Sequence, residues 1–491
     1  MLPVFMWREM NEKICSDNNS DGPDLPGVFS ILVFSNASGQ GSVGAQNRIK
    51  TPFAPIKINN NTELQEMAQN EGWEGSGTTN DPYIIQDYEI DAHGGGYGIF
   101  IGNTTLILKI YNVTIYNATY HSMPYNSGGG VVLYNVHDVS VGHSVIHHCN
   151  YGVYVRGGGW SSVISNKIRN NTYGIYIYSA TYMWIAGNNI SYNRGGIGES
   201  SSYSTTIYHN DIYKNGANHG ISITSSLKGD FIDSNRIMFT TGNGDGIHIS
   251  GSSISQQIDG IEIRYNEIYN NSGQGIYIAY TNGTWIHYNS IHNNTYSGIY
   301  MYSGVYNTTI ENNTISGNTK NGVDVYPYTT YDVEHTTIKY NNISFNYIGV
   351  NMERNSYDGK IFNNTFFNNT GLGVDLSNTA NDIWVYNNSF YYNNGATDTY
   401  DATHIQAHDA GSHNRWNTTY GNFWYDWANN NDTNDQDHDG FVDWPYRIDG
   451  TANSEDAYPL ANPAVVPELN PEIVLLAGAL AIVYLMRRKE S

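Results

Sequence analysis

The chain has 491 residues and only 14% of them are charged, whereas about a quarter of the residues are charged in an average soluble domain. It contains 64 Asn, 51 Gly and 42 Tyr. Asn and Gly disfavour helices and Tyr favours strands, so this composition argues against a mostly helical protein. The formal net charge of −22, with 23 Lys and Arg, argues against a nucleic-acid partner. Such a field suits cations and neutral or basic glycans.

The first 50 residues are predicted to be a leader region that precedes the folded domain. Residues 28–34 form an apolar run followed by small residues, as in a signal peptide. Residues 17–24, just before that run, are acidic, whereas a signal peptide carries basic residues there.

Residues 51–97 are predicted to form an N-terminal cap. Thr62 and Gln65 match a capping box, in which a Thr precedes the first helical turn and a Gln stands three positions later. Leu64, Met67 and Ala68 fall on one face of the resulting helix. We therefore expect a short helix whose apolar face covers the end of the repeats that follow.

Two interleaved repeats occupy residues 98–395. The first consists of Gly, then Ile or Val, then any residue, then another apolar residue, and it recurs mostly every 22–29 residues. Its glycines are Gly98, Gly130, Gly152, Gly174, Gly220, Gly246, Gly275, Gly298, Gly322, Gly349 and Gly373, with a degenerate copy at Gly196.

The second repeat has the pattern Ile-x-x-Asn-x-Ile-x-x-Asn. Its first Asn recurs at Asn166, Asn188, Asn210, Asn235, Asn266, Asn289, Asn313, Asn341, Asn364 and Asn388. Its second Asn recurs at Asn171, Asn193, Asn215, Asn271, Asn294, Asn318, Asn346, Asn369 and Asn393, and Thr240 takes one place in this series.

These repeats predict an all-β fold, a parallel β-helix of about twelve coils. Alternate Ile and Val residues of short strands point inward, and coils that stack about 4.8 Å apart place equivalent residues in columns. Asn is expected at the corners because it tolerates left-handed backbone, with stacked amides bonding between coils. Gly is expected where the chain turns sharply before each strand. A propeller would need a longer repeat unit, and a leucine-rich repeat would need a pattern of Leu residues that this sequence lacks.

Residues 396–460 are predicted to form a C-terminal acidic cap with a calcium loop. Carboxylates at relative positions 1, 3, 5 and 9, with Gly440 at position 6, match the first part of such a loop. These carboxylates belong to Asp435, Asp437, Asp439 and Asp443. Tyr446 replaces the usual bidentate Glu, so a further ligand is expected from Asp432, Asp449 or Asp456. The alternative is a solvated acidic loop.

The outward side chains of the Gly-Ile-x-Ile strands are expected to form two columns. The first contains Tyr154, Tyr176, Gly198, Ser222, His248, Tyr277, Tyr300, Asp324, Asn351 and Asp375. The second contains Arg156, Tyr178, Ser200, Thr224, Ser250, Ala279, Tyr302, Tyr326, Glu353 and Ser377.

One end of these columns is predicted to bind a glycan. Tyr rings offer flat apolar faces and carboxylates accept hydrogen bonds; the residues concerned are Tyr277, Tyr300, Tyr302 and Tyr326, beside Asp324, Glu353 and Asp375. The three acids are weak catalytic candidates, because Asp324 and Asp375 lie two coils apart, near the upper limit for an inverting glycosidase pair. Arg354 is expected to point inward by strand alternation, unless the strand ends before it. The alternative is that exposed Tyr merely suits a strand surface.

Two groups of histidines raise the possibility of copper or another metal. The first is His143, His147, His148 and Cys149, with His121, Met123 and His137 upstream. His147 and His148 are adjacent in a predicted strand and should face opposite ways, so they are not expected to bind one ion together. The second group is His404, His408 and His413 with Asp409.

The C-terminal end is predicted to anchor the protein to a membrane from the extracellular side. Residues 461–472 form a Pro-rich linker, and residues 473–491 form a single transmembrane segment that ends in Arg487, Arg488 and Lys489. Its uncharged part is 14 residues, which is short for a span. The alternative is a buried apolar helix.

The repeats resemble the right-handed parallel β-helix superfamily, and are most similar to NosD-like and carbohydrate-binding or sugar-hydrolase repeats of archaeal surface proteins. The resemblance covers residues 98–394 and extends to the segments 421–426, 444–446 and 456–460. It implies a surface protein, for which we expect a structural or glycan-binding role; the alternatives are a polysaccharide lyase, hydrolase or epimerase, and a copper accessory protein. Residues 466–469, with the apolar run and basic tail, resemble archaeosortase-type sorting signals, which implies cleavage and transfer to a lipid anchor.

Overall fold

The computed structural model describes residues 51–120, 127–225, 228–327, 331–428 and 435–463. The predicted leader and the predicted transmembrane segment lie outside these ranges. Within them, no helix is long and apolar enough to cross a membrane.

The described chain is a parallel β-solenoid of about twelve turns, as the repeats predict. The chain passes through three long sheets in turn, and each strand pairs in parallel with its equivalents one coil before and after. Sheet 1 contains Thr51–Phe53, Tyr88–Asp91, Thr114–Tyr116, Val145–His147, Lys167–Arg169, Asn189–Ser191, Asp211–Tyr213, Arg236–Met238, Glu267–Tyr269, Ser290–His292, Thr314–Ser316, Asn342–Ser344, Thr365–Phe367, Ser389–Tyr391 and Phe423–Trp424.

The other sheets follow the same stacking. Sheet 2 contains Ile56–Ile58, Tyr97–Gly102, Gly129–His137, Tyr151–Gly159, Tyr173–Tyr178, Gly195–Ser200, Ile221–Thr224, Ile247–Ser250, Ile276–Ala279, Ile299–Met301, Val323–Val325, Val350–Met352, Val374–Leu376 and Ala407–Asp409. Sheet 3 contains Tyr83–Gln86, Leu108–Tyr111, Val139–Gly142, Ser162–Ile164, Trp184–Ala186, Thr206–Tyr208, Phe231–Asp233, Glu262–Arg264, Trp285–His287, Thr309–Glu311, Thr337–Lys339, Lys360–Phe362 and Trp384–Tyr386.

Two small sheets and three short helices complete the described elements. A six-stranded parallel sheet contains Ile258–Asp259, Thr281–Asn282, Val305–Tyr306, Val333–Glu334, Ser356–Tyr357 and Ala380–Asn381. Tyr446–Arg447 and Glu455–Asp456 form an antiparallel pair. The helices are Asn61–Glu71, the 3₁₀ turn Asn393–Gly395 and Tyr425–Ala428.

The core consists of apolar columns that run the length of the solenoid. Sheet 1 contributes fully buried Ile residues from successive coils, and fully burying each one contributes about 1.5–3 kcal/mol. At the C-terminal end this column becomes aromatic. Phe366, Phe390, Trp424 and Tyr446 stack in succession, with ring centroids 4.9, 4.2 and 4.1 Å apart, and cover the last coil.

The repeat Asn residues form two buried hydrogen-bonded ladders. The Oδ1 of Asn313 accepts from the backbone N–H and the Nδ2 of Asn289, one coil earlier, at 2.9 and 3.0 Å. Asn289 Nδ2 also donates to the carbonyl of Ile263 at 2.8 Å. Each amide therefore bonds to the coils on both sides.

The predicted left-handed backbone of the ladder Asn residues is wrong. The positive φ belongs to the residue before each ladder Asn, for example Tyr288, Asn312 and Asn363. Several residue types occupy that turn position, whereas the next position needs an amide that both donates and accepts. Hydrogen bonding, and not turn geometry, explains the Asn repeat.

The predicted role of the repeat glycines is also wrong. None of them has a positive φ. A Cβ atom on Gly298 would lie 2.6 Å from Ile315 Cγ2 and 2.7 Å from the carbonyl oxygen of Gly322 in the next coil. Glycine is required because neighbouring coils approach closely at this point.

The cap helix forms where expected but begins earlier. Asn60, and not Thr62, is the N-cap: its side chain accepts from the backbone N–H of Glu63 at 2.8 Å, and Glu63 accepts in turn from the N–H of Asn59. Leu64 and Ala68 are buried against the first coils, and Met67 is partly buried beside them, as predicted.

Both Asn ladders end in buried carboxylates at the C-terminal end. The backbone N–H and Nδ2 of Asn422 donate to Asp456 at 2.6 and 3.2 Å, and Gln406 Nε2 donates to Asp426 at 2.7 Å. Burial raises the pKa of Asp426 and of Asp456 to about 6. Asp456 is thus committed to the ladder, which corrects its assignment as a candidate calcium ligand.

Candidate functional site

The outward column of sheet 2 has the predicted register. His248, Tyr277, Tyr300, Asp324, Asn351 and Asp375 pair one above another from coil to coil. The column continues to His408, which the repeat pattern did not reveal because residues 396–406 interrupt the period. We use the name sheet-2 face for Tyr277, Tyr300, Tyr302, Asp324, Tyr326, Asn351, Glu353 and Asp375.

The Tyr rings of the sheet-2 face stack on one another along the solenoid axis. Tyr277 and Tyr300 have centroids 5.7 Å apart, and Tyr302 lies 6.1 and 6.3 Å from them. His248 covers the other side of Tyr277, at 4.3 Å and 4°. The rings therefore turn their faces toward each other along the solenoid axis. The expectation that these rings offer open flat faces to sugars is therefore corrected, because neighbouring rings cover the faces of Tyr277.

The hydroxyl groups of this row are hydrogen-bond donors. Burial raises the pKa of Tyr277 and of Tyr300 well above the usual value, with further contributions from the neighbouring Tyr rings and acids. Both phenols therefore stay protonated at neutral pH. They can donate to a bound ligand and accept from it.

Asp324 is held firmly by neighbouring side chains. Asn351 Nδ2 donates to Asp324 Oδ1 at 3.0 Å and Ser297 Oγ donates to Oδ2 at 3.0 Å. Asn351 Nδ2 also donates to Glu353 Oε1 at 3.0 Å, so one amide joins the two acids. Asp324 is buried, and burial raises its pKa.

Asp375 and Arg354 bring charged partners to the same face. His408 Nδ1 lies 2.8 Å from Asp375 Oδ1, and this hydrogen bond raises the pKa of His408. Arg354 does not point inward: the strand ends at Met352, and the guanidinium is exposed, 5.5 Å from the centre of the Tyr326 ring. Ala279 of the second column is buried, although it stands two positions after Tyr277 in the same strand.

The acidic loop brings three of its four predicted ligands together. Carboxylate oxygens of Asp435, Asp437 and Asp443 lie within 4.8 Å of one another. Asp439 is not part of this group; its Oδ1 accepts from the N–H of Phe441 at 2.9 Å. Gly440 has φ +95°, which fits the predicted tight turn. Asp432 lies outside the described residues.

The first histidine group does not assemble as a whole. Cys149 is buried, its Sγ contacts the carbonyl of His147, and burial raises its pKa to about 12. His147 and His148 do approach each other, with Nδ1 atoms 2.7 Å apart, because His148 has φ +56° after the strand ends. The prediction that they face apart is therefore wrong. His121 and Met123 lie outside the described residues.

The second histidine group is dispersed. His404 pairs with Asp401, His408 with Asp375, and His413 lies 3.9 Å from Asp382. Asp409 is fully buried and accepts hydrogen bonds from Trp416 Nε1 and Ser454 Oγ. These residues form no common site.

One cluster escaped the sequence analysis. It contains His219, Asp245 and His248 and lies next to Tyr277, at the end of the stacked Tyr rings of the sheet-2 face. The potential ligand atoms of the three residues lie within 4.8 Å of one another. His219 and Asp245 lie in the turns before two sheet-2 strands, whose paths the strand periodicity does not describe. Each residue stands directly before a repeat glycine, Gly220 or Gly246. This shared position in the repeat could have indicated from the sequence that the two residues lie one above the other.

Comparison with known proteins supports the fold. The family model described as a right-handed β-helix region matches residues 97–238 and 228–390. The A-module of the mannuronan C-5 epimerase AlgE6 of Azotobacter vinelandii is 14% identical, with a TM-score of 0.47, over 74% of this chain and 96% of that one.

Two further solved structures show the same likeness. A double mutant of the periplasmic alginate epimerase AlgG is 18% identical, with a TM-score of 0.41, over 64% of this chain and 85% of that one. A tailspike protein mutant of E. coli bacteriophage HK620 is 10% identical, with a TM-score of 0.43, over 74% and 78%. These similarities concern the fold alone. No curated protein matches the sequence.

Proposed function

The chain belongs to the right-handed β-helix family, and from this fold we propose that its sheet-2 face binds a polysaccharide, with a binding or display role at the cell surface rather than a catalytic one. The observation that carries the proposal is the continuous column of polar side chains in which Tyr277 and Tyr300 are followed, coil by coil, by Asp324, Asn351 and Asp375. A polysaccharide is itself a repeating chain, so groups that repeat along the solenoid can contact successive sugar units.

The chemistry of the face suits a neutral or basic glycan. Protonated Tyr277 and Tyr300 donate hydrogen bonds, and Glu353 and Asp375 accept them from sugar hydroxyl or ammonium groups. The net charge of −22 repels a polyanionic chain. Recognition would therefore rest on hydrogen bonds and ring edges.

The proposal is tested by binding of the purified full chain to a panel of neutral, basic and acidic polysaccharides. Tyr300→Phe removes one hydroxyl group and keeps the ring stack, and it should weaken binding of the preferred glycan. Tyr265→Phe, at an exposed Tyr beside sheet 3, is the matched control and should bind normally. Absence of binding to every polysaccharide would contradict the proposal.

A carbohydrate-active enzyme is the second candidate. The Asp375–His408 pair and the outward Arg354 supply an acid, an imidazole and a cation beside the Tyr row. Shortening of a bound polysaccharide, abolished in Asp324→Ala or Asp375→Ala, would establish a lyase or hydrolase. If the polysaccharide keeps its length and composition in the presence of Ca²⁺, the protein binds it without catalysis.

We also propose that Ca²⁺ binds the acidic loop through Asp435, Asp437 and Asp443, with Asp439 available if its side chain rotates. Hard oxygen ligands around a tight Gly turn suit this ion. Its role would be to fix the C-terminal cap. A calcium titration followed by unfolding tests this, since an ion that binds the folded loop raises stability.

Attachment to the extracellular face of a membrane through residues 473–491 remains part of the proposal. It rests on the apolar run and the basic tail of the sequence. Fractionation of cells that express the full chain, with and without these residues, tests it. Copper handling stays a prediction of the NosD-like resemblance. Within the first histidine group, the adjacent imidazoles of His147 and His148 are the candidate copper ligands.

A further inference from the structure

His219, Asp245 and His248 form a compact cluster on two successive coils. His219 and Asp245 precede the sheet-2 strands Ile221–Thr224 and Ile247–Ser250, and His248 faces outward from the second of these strands. The two imidazole rings stack, with centroids 4.2 Å apart and planes 17° apart. Tyr277 covers the far side of His248, so the ring orientations are fixed by packing.

The Nδ1 atoms of both histidines face one carboxylate oxygen. Asp245 Oδ2 lies 2.9 Å from His248 Nδ1 and 3.3 Å from His219 Nδ1. The backbone N–H of Asp245 donates to His219 Nδ1 at 3.0 Å, so this nitrogen carries no proton. A nitrogen lone pair and a carboxylate oxygen thus meet without a hydrogen between them, an arrangement that a cation would relieve.

The carboxylate is positioned for this purpose. The N–H of Gln274 donates to Asp245 Oδ1 at 2.7 Å, which leaves Oδ2 directed at the histidines. The Asp245 side chain is 9% exposed and the histidines are 22% exposed, which leaves a path for an ion.

We propose that His219, Asp245 and His248 bind a divalent transition-metal ion, for which Zn²⁺ is the probe. Two imidazole nitrogens and one carboxylate oxygen are a ligand set that Zn²⁺ accepts, with a fourth position left for water. Ligands at about 2.0–2.2 Å in a tetrahedron lie roughly 3.4 Å apart, close to the separations already present. On binding, His219 Nδ1 would exchange its hydrogen bond for the metal. His248 Nδ1 would give up its hydrogen bond to Asp245 Oδ2 and face the ion, with the imidazole proton on Nε2.

The site is distinct from the acidic loop and from glycan binding. Ca²⁺ prefers an all-oxygen ligand set and should not compete for two imidazoles. The cluster lies at one end of the Tyr row, so a bound ion would place a positive charge next to Tyr277. A protein that binds no glycan could still bind the metal ion, and a protein that binds no metal ion could still bind a glycan.

The test is equilibrium dialysis of the metal-stripped full chain against Zn²⁺ in the presence of excess Ca²⁺. We expect one ion per chain to bind with an affinity that falls at least tenfold in Asp245→Asn and in His248→Ala. The matched control is His404→Ala, because His404 also pairs with a single carboxylate, Asp401, but has no second imidazole. Co²⁺ in place of Zn²⁺ should give the absorption bands of a four-coordinate nitrogen and oxygen site.

Two results would overturn the proposal. The first is no saturable Zn²⁺ binding by the wild-type chain. The second is binding that Asp245→Asn and His248→Ala leave unchanged, which would place the ion elsewhere, for instance at His147 and His148. Far-UV circular dichroism of each metal-free variant shows whether the solenoid is intact, and the conservative Asp245→Asn keeps the test valid if His248→Ala misfolds.

Discussion

Glu199 is expected to make the solenoid less stable as pH rises. It occupies an inward column of sheet 2 between Ile177 and Ile223, and it is 1% exposed. Burial, with repulsion from the neighbouring Asp230, raises its pKa well above the usual value. The folded chain therefore keeps a proton that the unfolded chain releases above pH ~4.3.

The magnitude follows from proton linkage. While the folded state holds one proton more than the unfolded state, the free energy of unfolding falls by about 1.4 kcal/mol per pH unit. Between pH 5 and 7 the loss is at most about 3 kcal/mol. Below pH ~4 both states are protonated and Glu199 contributes no loss.

The assay compares guanidinium unfolding of wild type and Glu199→Gln at pH 5, 6 and 7. Gln has nearly the same shape and does not titrate, so its advantage over wild type should grow with pH. Glu199→Ile, which continues the Ile column, should be more stable than wild type at pH 7. Glu267→Gln, at an exposed position of sheet 1, is the control and should show no such trend. Parallel pH profiles for wild type and Glu199→Gln would refute the reasoning.

Three further predictions concern the ladders, the glycines and the loop. Asn289→Ala leaves buried groups of three coils without partners, so it should lower the free energy of unfolding by roughly 1–3 kcal/mol for each group, measured by denaturant titration. Gly298→Ala forces a Cβ against Ile315 and the next coil, so it should lower the unfolding midpoint in the same assay. Ca²⁺ should raise the thermal midpoint of wild type but not of Asp437→Asn, by scanning calorimetry.

Each of these predictions has a contradicting outcome. An Asn289→Ala variant as stable as wild type would mean that water replaces the ladder amide. A Gly298→Ala variant of unchanged stability would mean that the coils separate at no cost. Equal responses of wild type and Asp437→Asn to Ca²⁺ would exclude the loop as the binding site.

The coil register could be predicted from the sequence because strands repeat with a fixed period. Alternation along each Gly-Ile-x-Ile unit placed Tyr277, Tyr300 and Asp324 in one column, and the structure confirms that register. The reasons for the repeats were harder to predict. Asn is needed for its amide and Gly for the space between coils, and neither follows from single-residue backbone preferences.

The parts of the site that lie in turns could not be predicted. His219 and Asp245 meet because two turns of unequal length approach each other, and His148 joins His147 because its backbone is left-handed. Strand alternation does not apply to either case. The stacking of the Tyr rings depends on side-chain rotamers, which the column assignment leaves open.

Hydroxyl-radical footprinting with a bound polysaccharide tests the central claim most directly. It reports the solvent accessibility of individual Tyr side chains in the intact chain. The account predicts that the glycan protects Tyr277, Tyr300 and Tyr302, while the exposed Tyr208 and Tyr265, in and beside sheet 3, stay as reactive as in the free protein. Protection confined to those other tyrosines, or no protection of the sheet-2 face by a glycan that binds, would contradict it.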